Sequence, residues 1–271
     1  MSRKSLLSAI RNSGEEINYA EKFNTEYNYS VEKRDKDNPR APSRFISPSS
    51  VKCDRNIVFK LLGEQQQAYA SSNLIHMCDA GSDIHERVQD NVLKMCKAGI
   101  DCEYVSVAQY IREHGLSDRI EIKQESDFSK KRYETKLFVP ELSISCLVDG
   151  IIKFHGKYYI LEIKTESTNK FFKQKDIQEE HKYQATAYSL ILGISEVMFF
   201  YVDRDLFNTK AYIYKPSKEE KDTLNSRLLK DIEYAKNKVV PSKTMVDKRA
   251  CTYCPYKSKC ESISEGEVKY D

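Results

Sequence analysis

Two carboxylates and a lysine, Asp149, Glu162 and Lys164, stand in a stretch that is otherwise apolar and aromatic, VDGIIKFHGKYYILEIK. The stretch reads as two strands joined at His155-Gly156, because β-branched and aromatic residues favour strands and glycine tolerates the positive φ of a two-residue turn. In that hairpin Phe154 faces Lys157, Ile152 faces Tyr159, and Asp149 faces Glu162. Opposed side chains have Cβ atoms about 5 Å apart, where two like charges destabilise a sheet unless something neutralises them. A divalent cation does so: Mg²⁺ or Mn²⁺ takes one or two carboxylates and keeps several waters, leaving room for a phosphate oxygen. The two-residue period of a strand puts Lys164 on the face of Glu162 and turns the Ile163 side chain into the core. A lysine there can bind a phosphate or help to position the attacking water. Taken alone, Glu-x-Lys is an exposed strand pair in many proteins; the opposed aspartate gives this one weight.

A second constellation lies near the C-terminus, where Cys251, Cys254 and Cys260 have the two-then-five spacing that closes thiolates around one metal centre. The chain has eight cysteines and no secretory signal, which argues for metal binding over a disulfide framework. Three clustered thiolates need a fourth ligand. Spacing alone accepts a tetrahedral zinc or a [4Fe–4S] cluster. The remaining cysteines sit in segments that read as core, Cys96 among them on an amphipathic stripe.

The elements that position these residues follow from periodicity. Residues 1–45 are polar and heavily charged, with little sustained periodicity, and read as a flexible or peripheral extension; residues 46–271 read as one domain whose C-terminal cysteine module spans 248–262. Ser47 and Pro48 offer an N-cap and first position for a short helix that would contain Cys53. Ile84, Val88, Val92, Met95 and Cys96 recur at helical spacing from 83 to about 97, with Gly99 as the stop. Residues 100–132 are ambiguous apart from a short helix at VAQYIREHG. Strands follow from 133 to 167, then a helix over about 175–192, strands at SEVMFFYVDR and KAYIYK, and a charged helix over 217–237. This order is mixed α/β.

With 44 basic and 41 acidic residues the net charge is +3, so composition gives no argument for a polyanionic partner. Hydrophobic residues at 40% and charged residues at 31% of 271 are an ordinary globular balance, and no run approaches the roughly 18 apolar residues of a membrane span. The expected location is the cytoplasm of a bacterium or of a phage's host.

Asp149 followed by Glu162-Ile163-Lys164 resembles the active-site motif of PD-(D/E)xK nucleases. Further matches, over about 45–261, resemble the RecB-like branch: ISPSSVKC at the start, GSDIHE with a helical histidine at His85, and QATAY with Gln184 and Tyr188. The resemblance implies a restriction-endonuclease-like α/β core, a mixed central sheet flanked by helices. It implies that His85, Asp149, Glu162 and the backbone carbonyl of Ile163 hold Mg²⁺ or Mn²⁺, and that Gln184 and Tyr188 line the site and contact DNA. His181, Gln184 and Tyr188 share one helix face, for which packing is the plainer reading. One cysteine before and three after the core, Cys53 with Cys251, Cys254 and Cys260, resemble the iron–sulfur RecB-like exonucleases, including the CRISPR-associated member and the nuclease domain of AddB. There a [4Fe–4S] cluster staples the two ends together.

The activity so implied is hydrolysis of DNA phosphodiesters by in-line attack of water, from single-stranded ends and often 5′ to 3′, in recombination, repair or replication alongside proteins of those processes. The aromatics and lysines of Lys170-Phe171-Phe172-Lys173 and the tyrosine-rich hairpin could stack bases, or could equally be core aromatics beside solvated lysines. Two rival readings are a structure-specific endonuclease with the same chemistry and a non-catalytic DNA-binding subunit. No G-x-x-x-x-G-K-[ST] loop is present, so no helicase motor is encoded in this sequence.

Overall fold

The computed structural model describes residues 18–38, 41–67, 71–243, 251–252 and 254–270. The chain forms two compact units, residues 1–39 with 68–76 and residues 40–67 with 77–271. In the first, a helix, α1 (Tyr19–Asp37), forms where the sequence lacks apolar periodicity. It is capped by Asn18, whose side chain accepts the Glu21 N–H, and the main-chain N–H and hydroxyl of Ser72 bind Glu32 and Asn28. Residues 1–17 of the expected extension lie outside the described residues.

The other elements run in chain order α2 (Asp54–Leu62), α3 (Ser72–Leu93), β1 (Cys102–Val105), α4 (Val107–Glu113), β2 (Glu121–Gln124), β3 (Thr135–Val139), β4 (Ile144–Val148), β5 (Gly150–Phe154), β6 (Lys157–Glu166), α5 (Thr168–Lys173), α6 (Glu179–Leu192), β7 (Val197–Asp203), β8 (Thr209–Tyr214), α7 (Lys218–Lys236), β9 (Val239–Val240), α8 (Lys257–Glu261) and β10 (Val268–Lys269). The central sheet has the order β1-β5-β6-β7-β8. Only its β6–β7 pair is parallel, because a helical crossover through α5 and α6 separates those two strands. Strands β2-β3-β4 form a second, antiparallel sheet, and β9 pairs with β10.

Alternation along β6 divides the core. Ile160 joins a large cluster with Ala185, Tyr188 and Ile191 of α6 and Leu224 and Leu228 of α7. Leu161 and Ile163 point the other way, to Ile84 and Val88 of α3. Helices therefore cover both faces of the mixed sheet, as the α/β reading expects.

The β5–β6 hairpin has the expected register, with Phe154 opposite Lys157 and Ile152 opposite Tyr159. Its turn takes positive φ at both His155 (47°) and Gly156 (76°), which matches the right-handed twist of the strands. Elsewhere the structure corrects the sequence reading. Ser47 and Pro48 open a 3-10 turn (Pro48–Ser50) closed by a capping box, and Cys53 is the N-cap of α2, not a residue inside a helix. Helix α3 begins at Ser72, eleven residues before the expected start at 83, because Ser72, Asn73 and His76 carry no apolar stripe. Its far end ravels into a 3-10 turn (Cys96–Ala98), so Cys96 is exposed and not a core thiol; Cys78 is also exposed, while Cys102 and Cys146 are buried. No helix among the described residues is long and apolar enough to cross a membrane.

Candidate active site

Asp149 is the single residue between β4 and β5, where the chain leaves one sheet for the other. Thr135 opposes Val148 on one side and Gly150 opposes Leu161 on the other. One step further along each ladder brings Glu134 and Glu162 to Asp149 from opposite directions. This corner is fixed by its own backbone: the Asp149 carbonyl accepts from Gln89 Nε2 at 2.7 Å and from the Tyr104 hydroxyl. Residue 150 has to be glycine, since a Cβ there would stand 2.5 Å from Tyr104 Oη.

The side chain of Asp149 is shared. Oδ2 accepts the Ile163 N–H at 2.8 Å, and Oδ1 lies 3.5 Å from His85 Nδ1 on α3. Ligand atoms of His85, Glu134 and Asp149 all lie within 4.8 Å of one another. Glu162 is 2% exposed; its Oε1 accepts from Lys164 Nζ at 2.6 Å, and its Oε2 is buried with no hydrogen-bond partner among the described residues. Lys164 Nζ also donates to Gln184 Oε1 of α6 at 2.8 Å. Burial pushes the Glu162 carboxyl upward, Lys164 opposes that shift and Asp149 adds to it. Burial and Asp149 likewise raise Glu134. For His85, burial lowers the pKa, but the hydrogen bond to Asp149 and its charge outweigh burial and the net shift is upward.

The donor set fits a hard divalent cation: His85, Glu134 and Asp149 bring an imidazole and two carboxylates within 4.8 Å of one another, and the nearby Glu162 adds a buried carboxylate oxygen that lacks a partner among the described residues. The structure thus brings together His85, Asp149, Glu162, Lys164 and Gln184. Of Ile163 it engages the N–H, on Asp149, and buries the side chain. Tyr188 departs from the expected DNA contact. It is 4% exposed and its hydroxyl donates to the Leu147 carbonyl at 2.7 Å, so it braces the strand that leads into Asp149 from inside the core. His181 stacks on Phe199 and meets the Tyr201 hydroxyl at 2.8 Å, and burial with neighbouring lysines keeps it neutral. Of the two phenylalanines in 170–173, Phe171 is core and Phe172 is exposed.

Sequence reasoning missed Glu134, Gln89 and Tyr104. Glu134 is set by a second hairpin, in which strands TKLFV and ISCLV put it in register with Asp149, but the turn around Pro140 has no signature from which that register could be read.

Cys53, Cys251, Cys254 and Cys260 line one small cavity of about 50 Å³, from both ends of their unit. Asn56 Nδ2 is 3.6 Å from Cys254 Sγ and Arg55 Nη1 is 3.7 Å from Cys260 Sγ. Burial pushes the Cys53 thiol up to about 11. Residues 248–250 and 253 of the cysteine module lie outside the described residues.

A mixed sheet flanked by helices carries carboxylates and a lysine at the point where two ladders meet, a donor set suited to metal-assisted hydrolysis. The chain belongs to the PD-(D/E)XK nuclease superfamily, whose family model matches residues 76–261. Among solved structures the chain is similar to SSO0001 at 17% identity, over 89% of this chain and 97% of that one, with a TM-score of 0.44. It is also similar to the alkaline exonuclease LHK-Exo from Laribacter hongkongensis, at 15% identity over 72% and 93% of the two chains and a TM-score of 0.38. The complex of LHK-Exo with dAMP gives 12% identity, 71% and 88% coverage and a TM-score of 0.43. Among curated proteins none matches.

Proposed function

We propose that this protein is a Mg²⁺- or Mn²⁺-dependent deoxyribonuclease that removes nucleotides from single-stranded DNA ends, most readily from 5′ to 3′, as a member of the RecB-like iron–sulfur branch. The observation that carries the reading is the corner at Asp149, where His85 of α3, Glu134 just before β3 and Glu162 of β6 come to one carboxylate that is itself pinned to the Ile163 N–H.

His85, Glu134, Asp149 and Glu162 would hold the cation. When bound, it draws charge from the phosphate oxygens and makes water a stronger nucleophile. Lys164 supplies a point charge for a non-bridging phosphate oxygen; its ammonium is already aimed by Glu162 Oε1 and Gln184 Oε1, so little freedom is lost when substrate arrives. Gln184 is a positioning residue that acts through Lys164, and Tyr188 acts through the Leu147 carbonyl. The four cysteines would hold a [4Fe–4S] cluster with a structural role, supported by their shared cavity and by the N–H groups of Asn56 and Arg55 near two of the sulfurs. The pathways that fit such an activity are recombination, repair and replication.

The test is degradation of end-labelled linear and of circular single-stranded DNA with each metal, by wild type, Asp149→Ala and Glu162→Ala. The expected result is metal-dependent loss of the linear substrate alone, reduced about 100- to 1,000-fold by either change, as for loss of a principal electrostatic contributor to the transition state. Cleavage of circles would instead assign an endonuclease. No cleavage by protein with its cysteine site filled would leave a DNA-binding subunit.

A further inference from the structure

A concavity of about 610 Å³ lies where α2, α5 and α6 approach the cysteine module, and three lysines, Lys52, Lys60 and Lys170, line it against one carboxylate, Glu180. Two of the lysines have carboxylate partners, Lys52 with Glu180 at 2.9 Å and Lys170 with Glu166 at 3.2 Å. Lys60 differs. It is half-buried, its Nζ donates to the Ser47 hydroxyl at 2.6 Å, and it meets no carboxylate at ion-pair distance among the described residues. An ammonium partly withdrawn from water beside a hydroxyl and without a carboxylate is costly. An anion entering the concavity would supply the missing charge-assisted bond, and the hydroxyl of Ser49 and the amides of Asn56 and Gln66 line the same space.

The setting narrows the kind of anion. Lys170 is tied to Glu166, which follows Glu162 and Lys164 on the same face of β6, about 13 Å along an extended strand from Glu162. Phosphates of one DNA strand recur every 3.4 Å or so along a duplex axis and more widely in an extended single strand, so this span is a few nucleotides. We infer that the concavity is a phosphate-binding subsite that holds a phosphate of the DNA strand a few nucleotides from the cleaved bond, with Lys60 as its principal ligand and Lys52 and Lys170 beside it. The inference rests on the nuclease reading of the site at Asp149. It also ties strand binding to the cysteine module, because Cys254 lines both this concavity and the four-thiol cavity.

The phosphate could be the terminal monoester or an internal diester, and the experiment separates them. Fluorescence anisotropy without divalent cations would compare 5′-phosphorylated and 5′-hydroxyl single-stranded oligonucleotides, across a salt series, on wild-type protein, Lys60→Gln and Glu180→Gln. Lys60→Gln is expected to weaken binding about 10-fold and to reduce the salt slope by about 0.7, the value for one single-strand phosphate contact. A loss confined to the phosphorylated oligonucleotide assigns the terminal phosphate; an equal loss on both assigns an internal one. Glu180→Gln, which removes the one carboxylate of the lining, is expected to tighten binding several-fold, a gain that a misfolded variant could not produce. An unchanged affinity and salt slope in Lys60→Gln would overturn the subsite, whichever way Glu180→Gln moves. If that happens while metal-dependent hydrolysis persists, the subsite alone falls; if metal-dependent hydrolysis by wild type is absent as well, the nuclease reading falls with it.

Discussion

At the scale of single residues, the site depends on how closely Asp149 is held. Its neighbours Glu162 and Lys164 were readable from the sequence because a two-residue turn with glycine fixes a register outright, and register alone places Asp149 opposite Glu162. Glu134 was not readable, since its hairpin turns through a 3-10 segment (Pro140–Leu142) and Ser143 at φ 50°, which carries no Asn-Gly or Gly-Gly signature. Helical spacing put Tyr188 on the face of Gln184, but spacing does not say which of two neighbours looks out and which looks in. The tightest test of the corner is Gly150→Ala. The new Cβ would meet Tyr104 Oη at 2.5 Å and the ring behind it at 2.7 Å, so Tyr104 must withdraw from the Asp149 carbonyl. Overpacking of this kind costs about 1–3 kcal/mol, and a carboxylate displaced by about 1 Å costs on the order of 100-fold in rate. Adding Tyr104→Phe should recover part of the melting temperature and little of the activity, because the hydroxyl that holds Asp149 is then absent. Full activity in Gly150→Ala would mean that the corner is softer than its contacts imply.

Among the elements, those with a strong pattern formed where expected: the β5–β6 hairpin, β7, β8, α6 and α7 all match to within a few residues. The misses share a cause. The length of α1, the early start of α3 and the break between the 3-10 turn at Pro48 and α2 depend on polar caps and tertiary contacts, which leave no apolar period to read. The packing of α7 on α2 holds a second thing that periodicity hides, an acidic pair. Asp231 on α7 is 1% exposed, and burial, then the neighbouring Asp54, pushes its carboxyl up to about 7. Arg227, paired with Asp54 at 2.9 Å, relieves this only in part. A raised carboxyl means that the folded chain keeps a proton which the unfolded chain releases above about pH 4. Stability should therefore fall as pH rises from about 4 to 7 and stay lowered above that. Asp231→Asn keeps the shape and cannot ionise, so it should be more stable than wild type by about 1–2 kcal/mol at pH 8, with the difference vanishing near pH 4. Urea melts across that range read it directly, and a difference that does not change with pH would rule out proton linkage at this pair.

For the larger unit as a whole, the sequence pointed to the thiols as the tie between its beginning and its end, and a second tie was invisible because a charged residue is expected at the surface. Arg55 is 1% exposed, and its guanidinium donates to the carbonyls of Pro241, Cys260, Ser264, Glu265 and Gly266, at 2.5 to 3.3 Å. It lies two positions after Cys53, at the start of α2, so one turn of chain carries both ties. Around them Phe59, Val240 and Tyr256 form a small separate core. The two ties should fail differently. Under the proposed [4Fe–4S] assignment, Cys→Ala at 53, 251, 254 or 260 would remove a ligand, so it should abolish a brown chromophore and lower the melting temperature. Arg55→Met leaves the thiols in place but strands several buried carbonyls, at a cost of about 3–5 kcal/mol, comparable to breaking a buried charged network. Hydrogen exchange over 238–243 and 254–270 should quicken in both kinds of variant, with the colour lost in the cysteine variants alone. Colourless, zinc-loaded protein with full activity would remove iron from the account and leave the thiols as a zinc site. Unchanged exchange in Arg55→Met would mean that the metal centre by itself anchors the C-terminal segment, and that the arginine is held by that segment without holding it.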